Sequence, residues 1–113
     1  YYELLRNTKG ITFLNEPKGY YSNRWLTCML IDKKKCGISV EQIISEFEEE
    51  KIETRRLWKP MHMQPIFKNN RFYGSGVSDL LFENGICLPS GSSIDEDDKK
   101  RIKYKLTKIF SIK

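Results

Sequence analysis

Residues 38–67, "ISVEQIISEFEEEKIETRRLWKPMHMQPIF", decide the fold because they contain a helix, a strand and the loop that follows them. Within this stretch, Ser39 and Gln42 form a capping box at the start of a helix. Apolar residues then recur at helical spacing, while most of the glutamates fall on the opposite side. The pattern predicts an amphipathic helix with an apolar face made of Val40, Ile43, Ile44 and Phe47.

The second half of the stretch leads from a strand into a proline-rich loop. "IETRRL", residues 52–57, favours a strand, and alternation along it would turn one of Arg55 and Arg56 inward and the other toward solvent. Pro60 and Pro65 each lack a backbone N–H donor. The chain is therefore expected to leave the sheet here as an ordered loop or a single turn.

On the N-terminal side, three further elements are expected. "YYELLRN" indicates a helix closed by Gly10, and "ITFL" indicates a short strand. "RWLTCMLI", residues 24–31, is rich in aliphatic and aromatic residues without clean alternation, which is typical of a strand buried on both faces. It is predicted to be a central strand.

On the C-terminal side, the sequence predicts two helices separated by a strand. "GSGVSDLLFENG" favours a short helix that ends at Gly85, and "ICLPSG" a brief strand. The last helix is predicted to begin at a capping box of Ser93 and Glu96, with Asp95, Asp97 and Asp98 in its first turn. The inward-facing residues are expected to be Val77, Leu80 and Leu81 in the first helix, and Ile102, Leu106, Ile109 and Phe110 in the second.

Together these elements predict an α/β fold of the two-layer α+β type, in which helices cover a small antiparallel or mixed sheet. A chain of 113 residues, 39% of them hydrophobic, is long enough for one domain with a real core, so residues 1–113 are expected to form a single domain.

Composition argues against several classes of function. The formal net charge is +5, but the lysines cluster in "DKKKC" and "KKRIKYKLTKIFSIK", where solvated turns and helix faces account for them. We therefore expect no nucleic acid partner, although an independent basic binding module remains an alternative. The chain contains no apolar run of membrane-spanning length and no secretion signal, so a cytoplasmic protein without a membrane partner is expected.

Cysteine and histidine are too few for a zinc site, so no metal is expected. Cys28 and Cys87 lie in apolar runs and are predicted to be reduced core thiols, whereas Cys36 lies in a lysine-rich turn and is predicted to be exposed.

The residues alone suggest recognition rather than catalysis. His62 is the only histidine, and no nearby base or orienting carboxylate suggests itself in the sequence. It lies in the proline loop, and a purely structural, hydrogen-bonded role for it stays open. The same loop concentrates polar and aromatic groups that can contact a ligand: Arg55, Arg56, Trp58, Lys59, Gln64 and Phe67.

The ordered series "SNRWLTCMLID", "ISVEQIISEFEEEKIETRRLWKPMHMQPIF" and "GVSDLLFENGICLPSG", followed by a helix with an acidic start, resembles the C-terminal part of the DegT/DnrJ/EryC1/StrS aminotransferases. The resemblance covers essentially the whole chain. Its specificity lies in the combination of "RRLWKPMHMQP" with "LFENGICLPSG" at this spacing. These relatives are sugar-nucleotide aminotransferases that depend on pyridoxal phosphate.

The resemblance implies that the chain is the small C-terminal domain of a longer fold-type I aminotransferase. In that family the cofactor and the lysine that binds it belong to a larger N-terminal domain, and no lysine here matches that motif. The fragment is therefore expected to be inactive alone, without a catalytic residue or a bound cofactor. The full-length parent is expected to use pyridoxal 5'-phosphate.

The family's proline-rich loop matches Pro60 and His62, and in relatives this histidine lies near the sugar nucleotide. The resemblance thus implies substrate binding by His62, Trp58, Arg55 and Arg56. Met61 or Met63 would add an apolar wall, although simple packing remains an alternative for Trp58 and the methionines.

For the parent, the resemblance implies transfer of an amino group, commonly from glutamate, to a nucleotide-linked keto-sugar. "WKPMHMQP" is similar to the subgroup that makes 4-amino-4,6-dideoxy sugars of the bacillosamine type for bacterial surface glycans and protein glycosylation. A homodimer is expected, because family active sites are completed across the dimer interface. A non-catalytic regulatory homologue of the family is the alternative.

Overall fold

The computed structural model describes residues 1–112 and contains one sheet of four antiparallel strands. The strands are β1 (Ile11–Phe13), β2 (Thr27–Ile31), β3 (Arg55–Arg56) and β4 (Gly85–Leu88), and their order across the sheet is β1-β2-β4-β3. The predicted two-layer α/β fold is confirmed, and the sheet is antiparallel rather than mixed.

Five helices accompany the sheet within residues 1–112. They are α1 (Tyr2–Leu5), α2 (Lys33–Cys36), α3 (Val40–Glu49), α4 (Val77–Asn84) and α5 (Glu96–Ile109). None of them combines the length and the apolar character that a membrane-crossing helix requires.

The hydrophobic core lies on one face of the sheet. Met29 and Ile31 of β2 and Ile86 of β4 point to this face, and Phe47 of α3 and Leu106 of α5 pack over them with no exposed surface. The predicted apolar face of α3 is confirmed, since Val40, Ile43 and Phe47 are buried and Ile44 packs at the edge of the core.

The other face of the sheet, which we call the outer face, carries Thr12, Cys28, Leu30 and Cys87. The α4 helix lies over part of this face, and together they line an open groove of ≈ 810 Å³. The expectation that α4 turns apolar residues inward is wrong, because its side chains cover a groove rather than a closed core. Its apolar side chains remain 40% to 59% exposed: Val77, Leu80 and Leu81.

The central strand β2 is shorter than predicted and is buried mainly on one face. It begins at Thr27 rather than residue 24, because Arg24 adopts a positive φ of 55° that interrupts extended backbone, and Trp25 is 71% exposed. Met29 and Ile31 are buried, but Cys28 and Leu30 on the outer face are only half-buried. The β3 strand is also shorter than predicted, with two residues.

The helix boundaries confirm one predicted N-cap and correct another. In α3, Gln42 N donates to Ser39 Oγ at 3.3 Å and Ser39 N donates to Gln42 Oε1 at 2.9 Å, so the predicted capping box is confirmed. The predicted cap of α5 at Ser93 is wrong. Asp95 occupies that position instead, because its carboxylate accepts bonds from the backbone of Asp97 and Asp98 at 2.9 Å.

The N-terminal helix also ends earlier than predicted. The α1 helix stops at Leu5, with Arg6 as its C-cap, so Gly10 does not terminate it. Gly10 instead has a positive φ of 86° in the turn before β1. An added Cβ there would come within 2.9 Å of the backbone of the α2 segment, which explains the need for glycine.

The cysteines are reduced, and two of them face each other across the sheet. Cys28 and Cys87 are register partners on β2 and β4, with their sulfur atoms 3.8 Å apart. Cys36 was expected to be exposed but is half-buried, because its Sγ lies 3.4 Å from the Ile38 carbonyl at the edge of the core.

Candidate functional site

The proline loop, residues 58–67, is ordered and follows β3. Pro60 is buried, and it precedes a 3-10 turn at Met61–Met63, after which a second such turn covers Pro65–Phe67. The side chain of Gln64 donates to the carbonyl of Lys59 at 3.3 Å and ties the first turn to its start. This geometry confirms the prediction of single turns outside the sheet.

His62 is held on two sides by residues from farther along the chain. Its ring stacks on Phe72, with centroids 3.7 Å apart and planes inclined by 28°. Its Nε2 lies 2.7 Å from Oδ1 of Asp79, which belongs to the first turn of α4. No carboxylate close to His62 in the sequence was expected to orient it, and the structure brings one from a distant position, Asp79. The sequence does not predict Asp79 as a partner of His62, because the contact depends on how α4 packs against the proline loop.

One oxygen of the Asp79 carboxylate, Oδ1, is buried. Oδ1 accepts no well-directed hydrogen bond from another group among residues 1–112. It lies 2.7 Å from Nε2 of His62, so the ring nitrogen is the nearest possible donor to this buried acceptor. A buried acceptor is costly to leave unpaired, which favours a proton on the nitrogen that faces it.

The two arginines of β3 face opposite sides, as alternation predicts. Arg55 stands opposite Cys87 on the outer face, is largely exposed, and pairs with Glu53 at 2.6 Å. Arg56 is mostly buried and donates to the carbonyls of Phe82 and Glu83 at 2.9 and 3.1 Å.

The guanidinium of Arg56 joins three elements. It lies 5.4 Å from the centroid of the Phe82 ring and forms an ion pair with Glu41 of α3. Because it already binds the C-terminal carbonyls of α4, its donors are used within the domain. Arg55 is the more available of the two arginines for a ligand.

Trp58 and Met61 present apolar surface next to His62 in the sequence. Trp58 is 65% exposed and Met61 is similarly exposed, whereas Met63 is less so. The indole therefore packs little against the rest of residues 1–112, which leaves it free to contact another surface or a ligand.

The buried lysine in the described part of the chain is held by carboxylates. Lys105 is the only buried lysine among residues 1–112, and its amine lies 2.8 Å from Glu46, with Glu49 and Glu50 nearby. The hydrogen bond to Glu46 raises the pKa of Lys105, which keeps the amine charged. A charged amine held by carboxylates is not the free nucleophile that binding an aldehyde cofactor requires.

Comparisons with solved structures show a shared fold. The chain superimposes on the aminotransferase TlmJ of Streptoalloteichus hindustanus with a TM-score of 0.82 and 13% identity, over 97% of this chain and 29% of that chain. It matches DesI, solved in the presence of its TDP-sugar product, with the same TM-score and 20% identity, over 97% of this chain and 28% of that chain.

A sequence relative is closer. The chain is 40% identical to EpsN of Bacillus subtilis (strain 168), named as an inferred pyridoxal phosphate-dependent aminotransferase, over 97% of this chain and 29% of that protein. The chain therefore spans less than a third of these relatives. The family model for the DegT/DnrJ/EryC1/StrS aminotransferases matches residues 1–107. With nearly its whole length matched, the chain belongs to the DegT/DnrJ/EryC1/StrS aminotransferase family.

Proposed function

We propose that the chain is the C-terminal small domain of a longer pyridoxal phosphate-dependent aminotransferase that acts on a nucleotide-linked keto-sugar. The observation that carries this proposal is the family match over residues 1–107, combined with a 40% identical relative that is more than three times as long. The cofactor would be held by the part of the parent outside this chain, and the charged, carboxylate-bound amine of Lys105 supports this assignment.

The role proposed for this domain is to bind the sugar nucleotide at the proline loop. His62 would contribute a hydrogen bond to the sugar, and the exposed indole of Trp58 would pack against an apolar face of the ligand. Arg55 would pair with phosphate or with a carboxylate of a partner subunit. Arg56 would act mainly by holding α4, which carries Asp79, against the loop.

The substrate class is supported by the relatives. DesI was solved with a TDP-sugar product, which shows that a protein of this fold handles a nucleotide-linked sugar. We propose glutamate as the amino donor and a 4-amino-4,6-dideoxy sugar of the bacillosamine type as the product class, for bacterial surface polysaccharide or glycoprotein. We also propose a cytoplasmic homodimer, in which the exposed apolar side chains of the loop contribute to subunit or domain contacts.

The test is an amino-transfer assay on the full-length parent. Purified protein is incubated with pyridoxal phosphate, ¹⁵N-labelled glutamate and a UDP- or TDP-linked 4-keto-6-deoxy sugar, and the product is analysed by mass spectrometry. The expected result is a nucleotide-linked amino sugar that carries the label. If the protein folds and binds the sugar nucleotide but transfers no label, it is a non-catalytic member of the family.

A companion experiment uses the 113-residue chain itself. It is expected to be folded but inactive, and to take up no pyridoxal phosphate at a single lysine, because Lys105 is charged and bound to Glu46. The measurement is a visible absorbance titration with peptide mapping after borohydride reduction. Stoichiometric labelling of one lysine would contradict the assignment of the cofactor site to another part of the parent.

A further inference from the structure

We propose that Asp79 is a positioning residue for His62, and that it leaves the ring nitrogen Nδ1 as a hydrogen-bond acceptor for a hydroxyl of the bound sugar nucleotide. This inference rests on the proposed function, because it names the group that the proline loop recognises. It assigns a role to a residue of α4 whose buried Oδ1 has no hydrogen-bond partner among residues 1–112 and lies 2.7 Å from His62.

The imidazole ring of His62 is contacted from two directions. Stacking on Phe72 at 3.7 Å fixes the plane of the imidazole, and the 2.7 Å approach of Asp79 Oδ1 fixes which edge of the ring points into the protein. Two contacts in different directions leave the ring little freedom to rotate. A ring held in this way is preorganised for a ligand, whereas stacking alone would permit a flip of the ring.

Within the described part of the chain, Asp79 does not cap α4 and pairs with no lysine or arginine, so neither role explains where its Oδ1 lies. It lies in the first turn of α4, but the N-cap of that helix is Gly76 and no side chain caps it. The helix dipole favours a carboxylate in the first turn, but this interaction does not require Oδ1 to be buried against His62. No lysine or arginine among residues 1–112 pairs with Asp79.

The hydrogen-bonding chemistry of Asp79 and His62 determines which ring nitrogen carries the proton. An ionised carboxylate only accepts hydrogen bonds, so the nitrogen that faces it must carry the proton. In the neutral imidazole the other nitrogen then has a free lone pair, and a carboxylate partner fixes this tautomer. Nδ1 would accept a hydrogen bond from a sugar hydroxyl, whereas an unprotonated nitrogen would repel a phosphate oxygen.

The chain itself offers a direct test, because His62 is its only histidine and gives one set of imidazole signals. In the ¹⁵N-labelled chain under mildly alkaline conditions, we expect Nε2 to show the chemical shift of a protonated nitrogen and Nδ1 that of an unprotonated one. The carbon-bound ring protons should also be shifted upfield by Phe72. Asp79→Ala should move these signals toward the values of an unstructured peptide.

Glu83→Ala is the matched control, because Glu83 is an exposed carboxylate on the same helix. It should leave the imidazole signals in place. Unchanged signals in Asp79→Ala would overturn the proposal, as would a wild-type ring protonated on Nδ1 alone. Asp79→Asn provides a second variant if the alanine variant does not fold, and it should preserve most of the upfield shift because its carbonyl oxygen can still accept from Nε2.

The functional arm is a double-mutant cycle in the full-length parent. Asp79→Ala should lower kcat/KM by roughly the factor that His62→Asn does, on the order of a few-fold to tenfold, and Asp79→Asn by less. Because Asp79 acts through His62, the double variant should be no slower than His62→Asn alone. Additive losses would overturn the proposal. A parent without amino transfer would instead refute the proposed function, while the imidazole signals would still decide whether Asp79 positions His62.

Discussion

Lys105 shows how one side chain holds two helices together in this domain. Its side chain is 2% exposed, yet its amine reaches Glu46 of α3 at 2.8 Å, with Glu49 and Glu50 within 3.8 Å. The aliphatic stem is thus packed between α3 and α5, while the ammonium lies among carboxylates at the surface. The apolar faces of both helices are predictable from the sequence, but the burial of this lysine is not, because lysine ordinarily lies on the solvated side of a helix.

The first prediction concerns the pH dependence of this contact. The hydrogen bond to Lys105 lowers the pKa of Glu46 from its ordinary 4.5, and the bond to Glu46 raises the pKa of Lys105 above 10.5. The contact between Lys105 and Glu46 therefore stabilises the folded protein fully at pH values above 4.5 and below 10.5. It is lost as the pH falls through the lowered pKa of Glu46, and as the pH rises through the raised pKa of Lys105.

Lys105→Met retains the apolar stem and removes the amine, so it should lower the Tm at neutral pH. The difference from the wild type should shrink as the pH falls well below 4.5. Thermal unfolding at a series of pH values measures this. Lys103→Met, at an exposed position of the same helix, is the control and should change little. A Tm difference that stays constant down to acid pH would contradict the assignment.

The second prediction concerns the thiol of Cys87. Burial, with a smaller contribution from neighbouring Cys28, raises the pKa of Cys87 to about 11. Since the thiolate is the reactive form, iodoacetamide should alkylate Cys87 on the order of 100-fold more slowly at about pH 8 in the folded protein than in urea. Peptide mapping of the alkylation time course checks this. Equal rates in the two states would show that the strand pair β2 and β4 opens readily.

At the scale of elements, α3 was predictable because its signals are local. Ser39 and Gln42 form the expected capping box, and the apolar residues recur at a spacing that fits one buried face. The third prediction follows from this placement. Phe47 has no exposed surface, so Phe47→Ala should reduce the free energy of unfolding by roughly 3 to 5 kcal/mol.

Urea denaturation measures the effect of Phe47→Ala. Glu48→Ala is the matched control on the exposed side of the same helix, and it should change the free energy of unfolding by less than about 0.5 kcal/mol. Equal denaturation midpoints for Phe47→Ala and the wild type would mean that α3 presents a different face to the sheet.

The start of α5 shows where local signals are ambiguous. Ser93 and Asp95 both precede a run of acidic residues, and either can cap a helix. The cap is Asp95, because the chain turns at Gly91 to Ile94 before the helix begins. The fourth prediction is that Asp95→Ala costs about 1 kcal/mol of stability while Ser93→Ala costs nearly nothing. Urea denaturation of both variants distinguishes them, and the reverse order would contradict the cap.

The parts of the fold that sequence did not predict depend on long-range packing. The apolar residues of α4 follow a helical pattern, but whether they are buried depends on what covers the outer face of the sheet. The contact between His62 and Asp79 likewise joins a loop to a later helix, and no periodicity in the sequence encodes it. The loop itself was predictable, since Pro60 and Pro65 exclude a continuing strand.

At the scale of the whole molecule, the two faces of the sheet have different roles. The core face, covered by α3 and α5, provides the stability of the domain. The outer face, the α4 helix over it and the proline loop carry exposed groups, among them Arg55, Leu80 and Trp58. Exposed apolar groups of this kind are typical of surfaces that contact a partner or a ligand, which is the role proposed above for the loop.

We propose that the proline loop binds the sugar nucleotide of the full-length parent through His62. The most direct measurement is kcat/KM for the sugar nucleotide, together with the Tm, for His62→Asn in the full-length parent. Loss of one hydrogen bond to a neutral group, about 0.5 to 1.5 kcal/mol, predicts a decrease of a few-fold to tenfold in kcat/KM in an enzyme that stays folded. A substantially lower Tm with normal turnover by the remaining folded enzyme would contradict the claim and make His62 a structural residue of the loop.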